Sequence, residues 1–249
     1  IEELSKGQNQ NPHFELFGGE PLMYTHFERM MEAFHRHGCT VDIPTNGTLL
    51  KKHAKTIVDN EVSRIWVSID GSEEFNDLQR GKGVYQKAME GLREIHRLKQ
   101  EKGVSYPLTG VTMVVTPLNY KSIRRFFTEE MDHTLLDNIS LEFQLYITRE
   151  RFEQYKTFIE EVFGITDDLG VSGLIRETSD FDEIDIDRLI ADVLYLRQFC
   201  KDHNIKVWGY PKTITESNIT NFYQGKWDDM EDKRNRCSFP WIYMEISAD

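Results

Sequence analysis

Glu20 is the first residue whose setting points to chemistry. It lies in the run Phe14-Glu15-Leu16-Phe17-Gly18-Gly19-Glu20-Pro21-Leu22, where a short apolar segment ends in two glycines, a carboxylate and a proline. A helical pattern follows over 25–37. Glycines let a turn backbone adopt unusual dihedrals and approach a ligand closely, and Pro21 fixes φ and gives up a donor where a helix begins. Free carbonyls and one carboxylate at the carboxyl end of a strand suit a positively charged group such as an ammonium. An ordinary strand-to-helix turn accounts for the same four residues, and the motif by itself leaves both readings open.

Two more turns of the same kind follow. Val41-Asp42-Ile43-Pro44-Thr45-Asn46-Gly47-Thr48 reads as a strand, a polar turn and the start of a helix, and Arg64-Ile65-Trp66-Val67-Ser68-Ile69-Asp70-Gly71 repeats the arrangement. Glu20, Asn46 and Asp70 are spaced about one βα unit apart, which lets their side chains converge on one rim. The competing structural readings are a plain turn at Asn46-Gly47 and a helix cap at Asp70. Gln79-Arg80-Gly81-Lys82-Gly83 comes next; its glycine spacing is wrong for a phosphate loop and no strand immediately precedes it.

The elements that must position these residues alternate. Strands are expected near 13–17, 41–45, 64–70, 108–116, 139–145 and 205–209, and helices near 25–37, 49–60, 83–102, 120–131, 149–163 and 185–203. Such alternation implies a parallel sheet covered by helices. Val111 to Val115 is rich in β-branched residues, as in a strand buried on both faces. The segment 164–182 is irregular and acidic, and reads as an insertion or loop over the mouth of a barrel.

The Gly-Gly-Glu-Pro signature, the Thr-Asn-Gly turn, the Ser-Ile-Asp-Gly strand end and the Arg-Gly segment, in that order, resemble the radical S-adenosylmethionine (radical SAM) superfamily over roughly 14–144. The resemblance implies an α/β fold, a partial parallel (β/α)6 TIM-like barrel. It implies S-adenosylmethionine and a [4Fe–4S] cluster as cofactors, and a 5′-deoxyadenosyl radical that abstracts a substrate hydrogen. Cofactors carry that hard step and the protein binds and orients them. By resemblance, Gly18, Gly19 and Glu20 hold the methionyl ammonium, and Asn46 reaches the cofactor or its surroundings. Ser68 and Asp70 face the ribose or methionyl end, Arg80 offers its guanidinium to the carboxylate, and Val115 packs on the adenine side. The implied partners are a peptide or small-molecule substrate and a reductant such as flavodoxin or ferredoxin.

The chain departs from the family in one respect. The cluster is held there by a Cys-x3-Cys-x2-Cys loop after the first strand, and this sequence has no cysteine before Cys39. Residues 1–11 read as the tail of a helix and a polar loop. The expectation is a chain whose first βα unit is missing; the alternative is a cluster-free member that binds S-adenosylmethionine or a nucleotide without catalysis. A second resemblance lies at the other end. Cys237, then Pro240-Trp241 and an alternating strand to Asp249, is similar to the start of SPASM or twitch extensions, which hold auxiliary Fe–S clusters. The implied organisation is a barrel over 1–212, a linker over 213–236 and the beginning of an auxiliary-cluster domain over 237–249. Cys237 is then a cluster ligand in the intact protein, its partners absent from this chain, since a cluster normally takes four cysteines.

Other candidates have plainer readings. His35, His37 and Cys39 do not share a helix face, and Gly38 marks a helix end. Cys200 sits among apolar helical positions and reads as a packed thiol. The acidic residues of 180–187 lack the glycine and terminal glutamate of a calcium loop. With 249 residues, 39% of them hydrophobic, the chain can build one barrel-like domain with a sizeable core. Its net charge of −12, without a basic cluster, argues against nucleic acid as a partner. No apolar run approaches the ~18 residues of a membrane span, and three scattered cysteines do not form a secreted disulfide framework. The composition is that of a cytoplasmic enzyme.

Overall fold

The computed structural model describes residues 12–166 and 170–232. Cys237 and the segment 237–249 lie outside the described residues. Six strands form one sheet in sequence order: β1 (His13–Glu15), β2 (Thr40–Thr45), β3 (Arg64–Ser68), β4 (Leu108–Val115), β5 (Asn138–Phe143) and β6 (Lys206–Tyr210). Every neighbouring pair is parallel. The sheet curls into a half-barrel with helices on one face. All six expected strands are present, and the fold is the expected partial TIM-like barrel.

The crossovers are helical, as parallel pairing requires. They comprise α1 (Phe27–Arg36), α2 (Leu50–Asp59), α3 (Glu73–Arg80) and α4 (Val84–Lys102). After β4 the chain runs through a short helix Ile123–Arg125 into a π turn Phe126–Glu130. Then come α5 (Arg149–Phe163), α6 (Ile186–Asp202) and α7 (Glu216–Tyr223). Helix α1 ends at Gly38 with φ +66, as its place after His37 leads one to expect. Two of the helices, α3 and α7, stand outside the expected helical stretches.

The core lies between the sheet and the helices. Ile43, Ile65, Val67, Val111, Met113, Val115, Ile139 and Leu141 are buried, and Ile57, Leu92 and Ile95 meet them from the helix layer. Gly91 lets α4 close on α2: a Cβ there would stand 2.6 Å from that of Leu50. Burying a side chain of this size contributes roughly 1.5–3 kcal/mol. On the other face of β4, Gly110 is buried and Thr112 and Val114 are partly exposed.

Contacts divide the chain into two units. The first holds the sheet and α1 to α4, spanning Ile1–Leu145 and Asp187–Tyr210. The second spans Tyr146–Ile186 and Pro211–Asp249. In its described part a parallel bridge joins Ile147 to Ile175, and Tyr146, Phe181, Phe222, Tyr223 and Trp227 form an aromatic cluster. The Tyr146 hydroxyl donates to the Phe222 carbonyl at 2.9 Å, and burial pushes its pKa up to about 12. No described helix is long and apolar enough to cross a membrane.

Candidate functional site

Parallel strands place their carboxyl ends on one edge of the sheet. Glu20 follows β1, Asn46 directly follows β2, Ser68 ends β3 and Asp70 lies two residues further. All four therefore stand at the same edge, on three adjacent strands.

Glu20 is fixed from three directions. Its Oε1 accepts the Leu22 N–H at 3.1 Å, capping the 3-10 turn Pro21–Met23, and the Thr45 hydroxyl at 2.7 Å. Its Oε2 accepts the Asn46 N–H at 2.8 Å. A carboxylate offers about four acceptor sites, so one of those on Glu20 stays open. Gly18 and Gly19 both have positive φ, +95 and +53, which explains why glycines carry the turn into Glu20.

Asn46 spends its side-chain oxygen locally, accepting the Thr48 N–H at 2.9 Å and the Thr48 hydroxyl at 2.6 Å. That is the turn reading of this residue. Gly47 is held by packing as well as by its φ of +79, because a Cβ would meet Ala88 of α4 at 2.8 Å and Val67 of β3 at 2.9 Å.

Asp70 is the centre of a buried network. Its Oδ2 accepts Arg80 Nε at 2.7 Å and its Oδ1 accepts the Val114 N–H at 3.1 Å. Its own N–H donates to Asn76 Oδ1 at 3.1 Å, and its carbonyl accepts from Asn119 Nδ2 at 3.0 Å. Asp70 is only 4% exposed, with Asn76 and Asn119 buried around it. The cap reading fails here, since α3 begins after Ser72. Its carboxylate instead ties the ends of β3 and β4 to α3 and aims Arg80. Among the described residues only Nε of Arg80 has a recorded partner, which leaves both Nη groups for a ligand. The turn beyond Arg80 wraps Asp77, whose carboxylate accepts the Gly83 and Tyr85 N–H groups and is held below its usual pKa by them.

Ser68 and Val115 part company. Register pairs Ser68 with Thr112, whereas Val115 lies an odd number of positions further along β4 and so points to the opposite face. Val115 is fully buried on the helix side. The Val115 side chain thus lies on the face opposite Ser68, and Val114 lies on the Ser68 face.

The face that carries Ser68 is polar along its length. Ser68, Thr112 and Ser140 share one row and continue to Trp208. The row towards the carboxyl edge holds Val114, Glu142 and Tyr210. Glu142 is half-buried; its Oε1 accepts the Ser140 hydroxyl at 2.6 Å, and burial raises its pKa above the ordinary glutamate value. Towards the amino edge, Arg64 donates to Asp42 at 3.2 Å and lies over the rings of Trp66 and Trp208, at 5.4 and 5.6 Å. Sequence reading overlooked Thr45, Arg64 and Glu142. A lone carboxylate inside the apolar strand Asn-Ile-Ser-Leu-Glu-Phe was the available signal for Glu142.

The described cysteines do not form a metal site. Cys39 precedes β2, at the end of the strand opposite Asn46, and Cys200 is buried in α6 with its pKa pushed up to about 12. No group of three or more His, Cys, Asp or Glu side chains among the described residues is placed to hold a metal ion. The described residues thus do not fit an iron–sulfur cluster.

A parallel half-barrel with a glycine-glycine-glutamate turn at its carboxyl edge is the arrangement of one large enzyme superfamily. Residues 1–128 match the radical SAM superfamily model, and the chain belongs to that superfamily. It is 32% identical over 112 residues to the Fe-coproporphyrin III synthase of Methanosarcina barkeri, an alignment covering 44% of this chain and 26% of that protein. It is 29% identical over 107 residues to the tungsten-containing aldehyde ferredoxin oxidoreductase cofactor-modifying protein of Pyrococcus furiosus, covering 42% and 30%. The chain thus spans under a third of the curated relatives it matches. Among solved structures, Streptococcus suis SuiB superposes with a TM-score of 0.54 at 14% identity, over 82% of this chain and 42% of SuiB. The structure of anSMEcpe with bound AdoMet gives 0.52 at 17% identity, over 82% and 51%. At such identities these likenesses speak for the fold.

Proposed function

We propose that this chain is the S-adenosylmethionine-binding core of a radical SAM enzyme. One observation carries the reading: Glu20 is fixed by Leu22, Thr45 and Asn46 at the carboxyl edge with one acceptor site open. The residues present fit the cofactor. Gly18, Gly19 and Glu20 would hold its ammonium, and Arg80, aimed by Asp70, would pair its carboxylate. Asn46 would line the turn between them, and Ser68 and the backbone around Val114 and Val115 would border the ribose and adenine. S-adenosylmethionine, bound beside the family's [4Fe–4S] cluster, supplies the capacity to abstract a substrate hydrogen. The protein's part is to bind, orient and exclude water.

The cluster ligands would come from residues other than those described here. Cys237, with the segment 237–249 as the start of an auxiliary domain, would serve a second cluster in the intact protein. A peptide or small molecule is the proposed substrate, a flavodoxin or ferredoxin the proposed reductant, and the cytoplasm the proposed compartment. Anaerobic reconstitution of the intact protein with iron, sulfide and a reductant tests the reading. Formation of 5′-deoxyadenosine is expected. Tight S-adenosylmethionine binding without cleavage would instead make the protein a binding module.

A further inference from the structure

We infer that a cavity between the first turns of α1 and α2 binds a small zwitterion, an α-amino acid with an apolar side chain, apart from the site built on Glu20 and Arg80. The cavity holds about 380 Å³ and opens to solvent.

Three features of the cavity point to such a ligand. The first is a buried imidazole. His53 is 5% exposed and lines the cavity, and neither ring nitrogen meets a hydrogen-bond partner in normal geometry among the described residues. The Leu22 carbonyl acts on the ring, but it can serve one nitrogen only. The other is left without a partner, which is unfavourable for a buried polar atom. The second feature is a divided charge. Glu28 of α1 and Lys52 of α2 line the cavity from its two sides, both exposed, and neither has a recorded hydrogen bond or ion pair among the described residues. Both lie close enough to act on His53: burial lowers its pKa most, Lys52 adds to the fall, and Glu28 and the Leu22 carbonyl oppose it. The third is a pair of uncapped helix starts. Neither α1 nor α2 has a side-chain cap, and the N–H groups of Glu28, Arg29, Lys51 and Lys52 have no recorded acceptor. Each helix runs ten residues, so partial positive charge gathers at both starts.

A zwitterion answers all three. Its ammonium would meet the Glu28 carboxylate, and its carboxylate would meet Lys52 and the open N–H groups. The unpartnered His53 nitrogen would accept from the ammonium or donate to the carboxylate, as its tautomer requires. An anion alone would leave Glu28 without a counter-charge, and a cation alone would do the same to Lys52. Leu22, Phe27 and Leu49 supply an apolar wall for the side chain, and the volume falls within the range of small-ligand pockets. Leu22, whose side chain lines the cavity, also donates its N–H to Glu20 at 3.1 Å, so the cavity adjoins the turn that carries Glu20.

Calorimetric titration of the intact protein with L-phenylalanine and L-leucine tests this. Hydrocinnamate and phenethylammonium share the phenylalanine body and carry one charge each. Saturable binding of an amino acid is expected, at least about tenfold tighter than that of either single-charge probe. Glu28→Gln and Lys52→Gln, at exposed positions, should each weaken it at least about fivefold. His53→Phe keeps a ring against Phe27 while removing both nitrogens, and should weaken it as well. If that variant does not fold, the two exposed ones decide alone. No saturable binding of either amino acid, equal affinity for a single-charge probe, or unchanged affinity in any folded variant would overturn the inference. Unchanged affinity would include an amino acid held at Glu20 and Arg80 instead. S-adenosylmethionine is absent from the titration, so its result does not depend on the radical SAM reading.

Discussion

Two carboxylates on the polar face of this sheet, Asp42 and Glu142, have opposite surroundings. Asp42 is buried, yet Arg64 donates to it and His13 stands 4.0 Å away. Glu142 is half-buried with a serine hydroxyl as its recorded partner. Burial raises the pKa of both; at Asp42 the Arg64 and His13 charges oppose it, and at Glu142 only the Ser140 hydroxyl does. The difference teaches where this fold spends its charges. On the amino-edge half of the face the carboxylate and the guanidinium pair with each other, Asp42 with Arg64. The carboxyl-edge half keeps unspent groups: the open site on Glu20, the Nη groups of Arg80, and Glu142.

Arg64→Ala should have the largest effect on that contrast. It strands the Asp42 carboxylate and removes the cation between two indole rings, so unfolding by denaturant should show a loss of about 3 kcal/mol. A change under about 0.5 kcal/mol would mean that Asp42 and Arg64 do not act as a pair. Glu142→Gln should act with the opposite sign. Replacing an unpaired, desolvated carboxylate with an isosteric amide should leave stability unchanged or raise it by up to about 1 kcal/mol at pH 7. A clear loss would show that the carboxylate is already paired.

The smallest effect is the pH dependence. The folded pKa of Glu142 lies above its unfolded value. Its contribution to stability is therefore fully present below the unfolded pKa and lost as pH rises through the folded one. The stability difference between Glu142→Gln and the wild-type protein should thus grow in favour of the variant from pH 4 to pH 7. Asp77, whose pKa is lowered, runs the other way: its contribution is lost as pH falls through its folded pKa. A difference that shrinks over the window would remove the distinction between the two halves of the face.

The strands were legible because their apolar, β-branched runs alternate with helical periods. Helix α3 was not, because the residue it buries is polar: Asn76 lies inside, while Leu78 is 76% exposed. Helix α7 was missed within a polar stretch read as a linker, although Ile219, Phe222 and Tyr223 stand at helical spacing and Thr215 caps its start. For the site, residue type and order sufficed to bring Glu20, Asn46, Ser68 and Asp70 to one edge. What they touch was not legible, because it depends on register. Sequence does not tell that Thr45 reaches Glu20, that Asp70 binds Arg80, or that Val115 turns to the helix side while Val114 does not.

The most direct test of the account is the affinity of the intact protein for S-adenosylmethionine, measured by calorimetry for wild type and Glu20→Gln. The amide keeps the shape of the turn and can still accept from Leu22 and Thr45, but it lacks the charge that would face an ammonium. The account predicts a loss of at least about tenfold in affinity, near 1.4 kcal/mol, with the fold retained by circular dichroism. Equal affinity in a folded variant would contradict it.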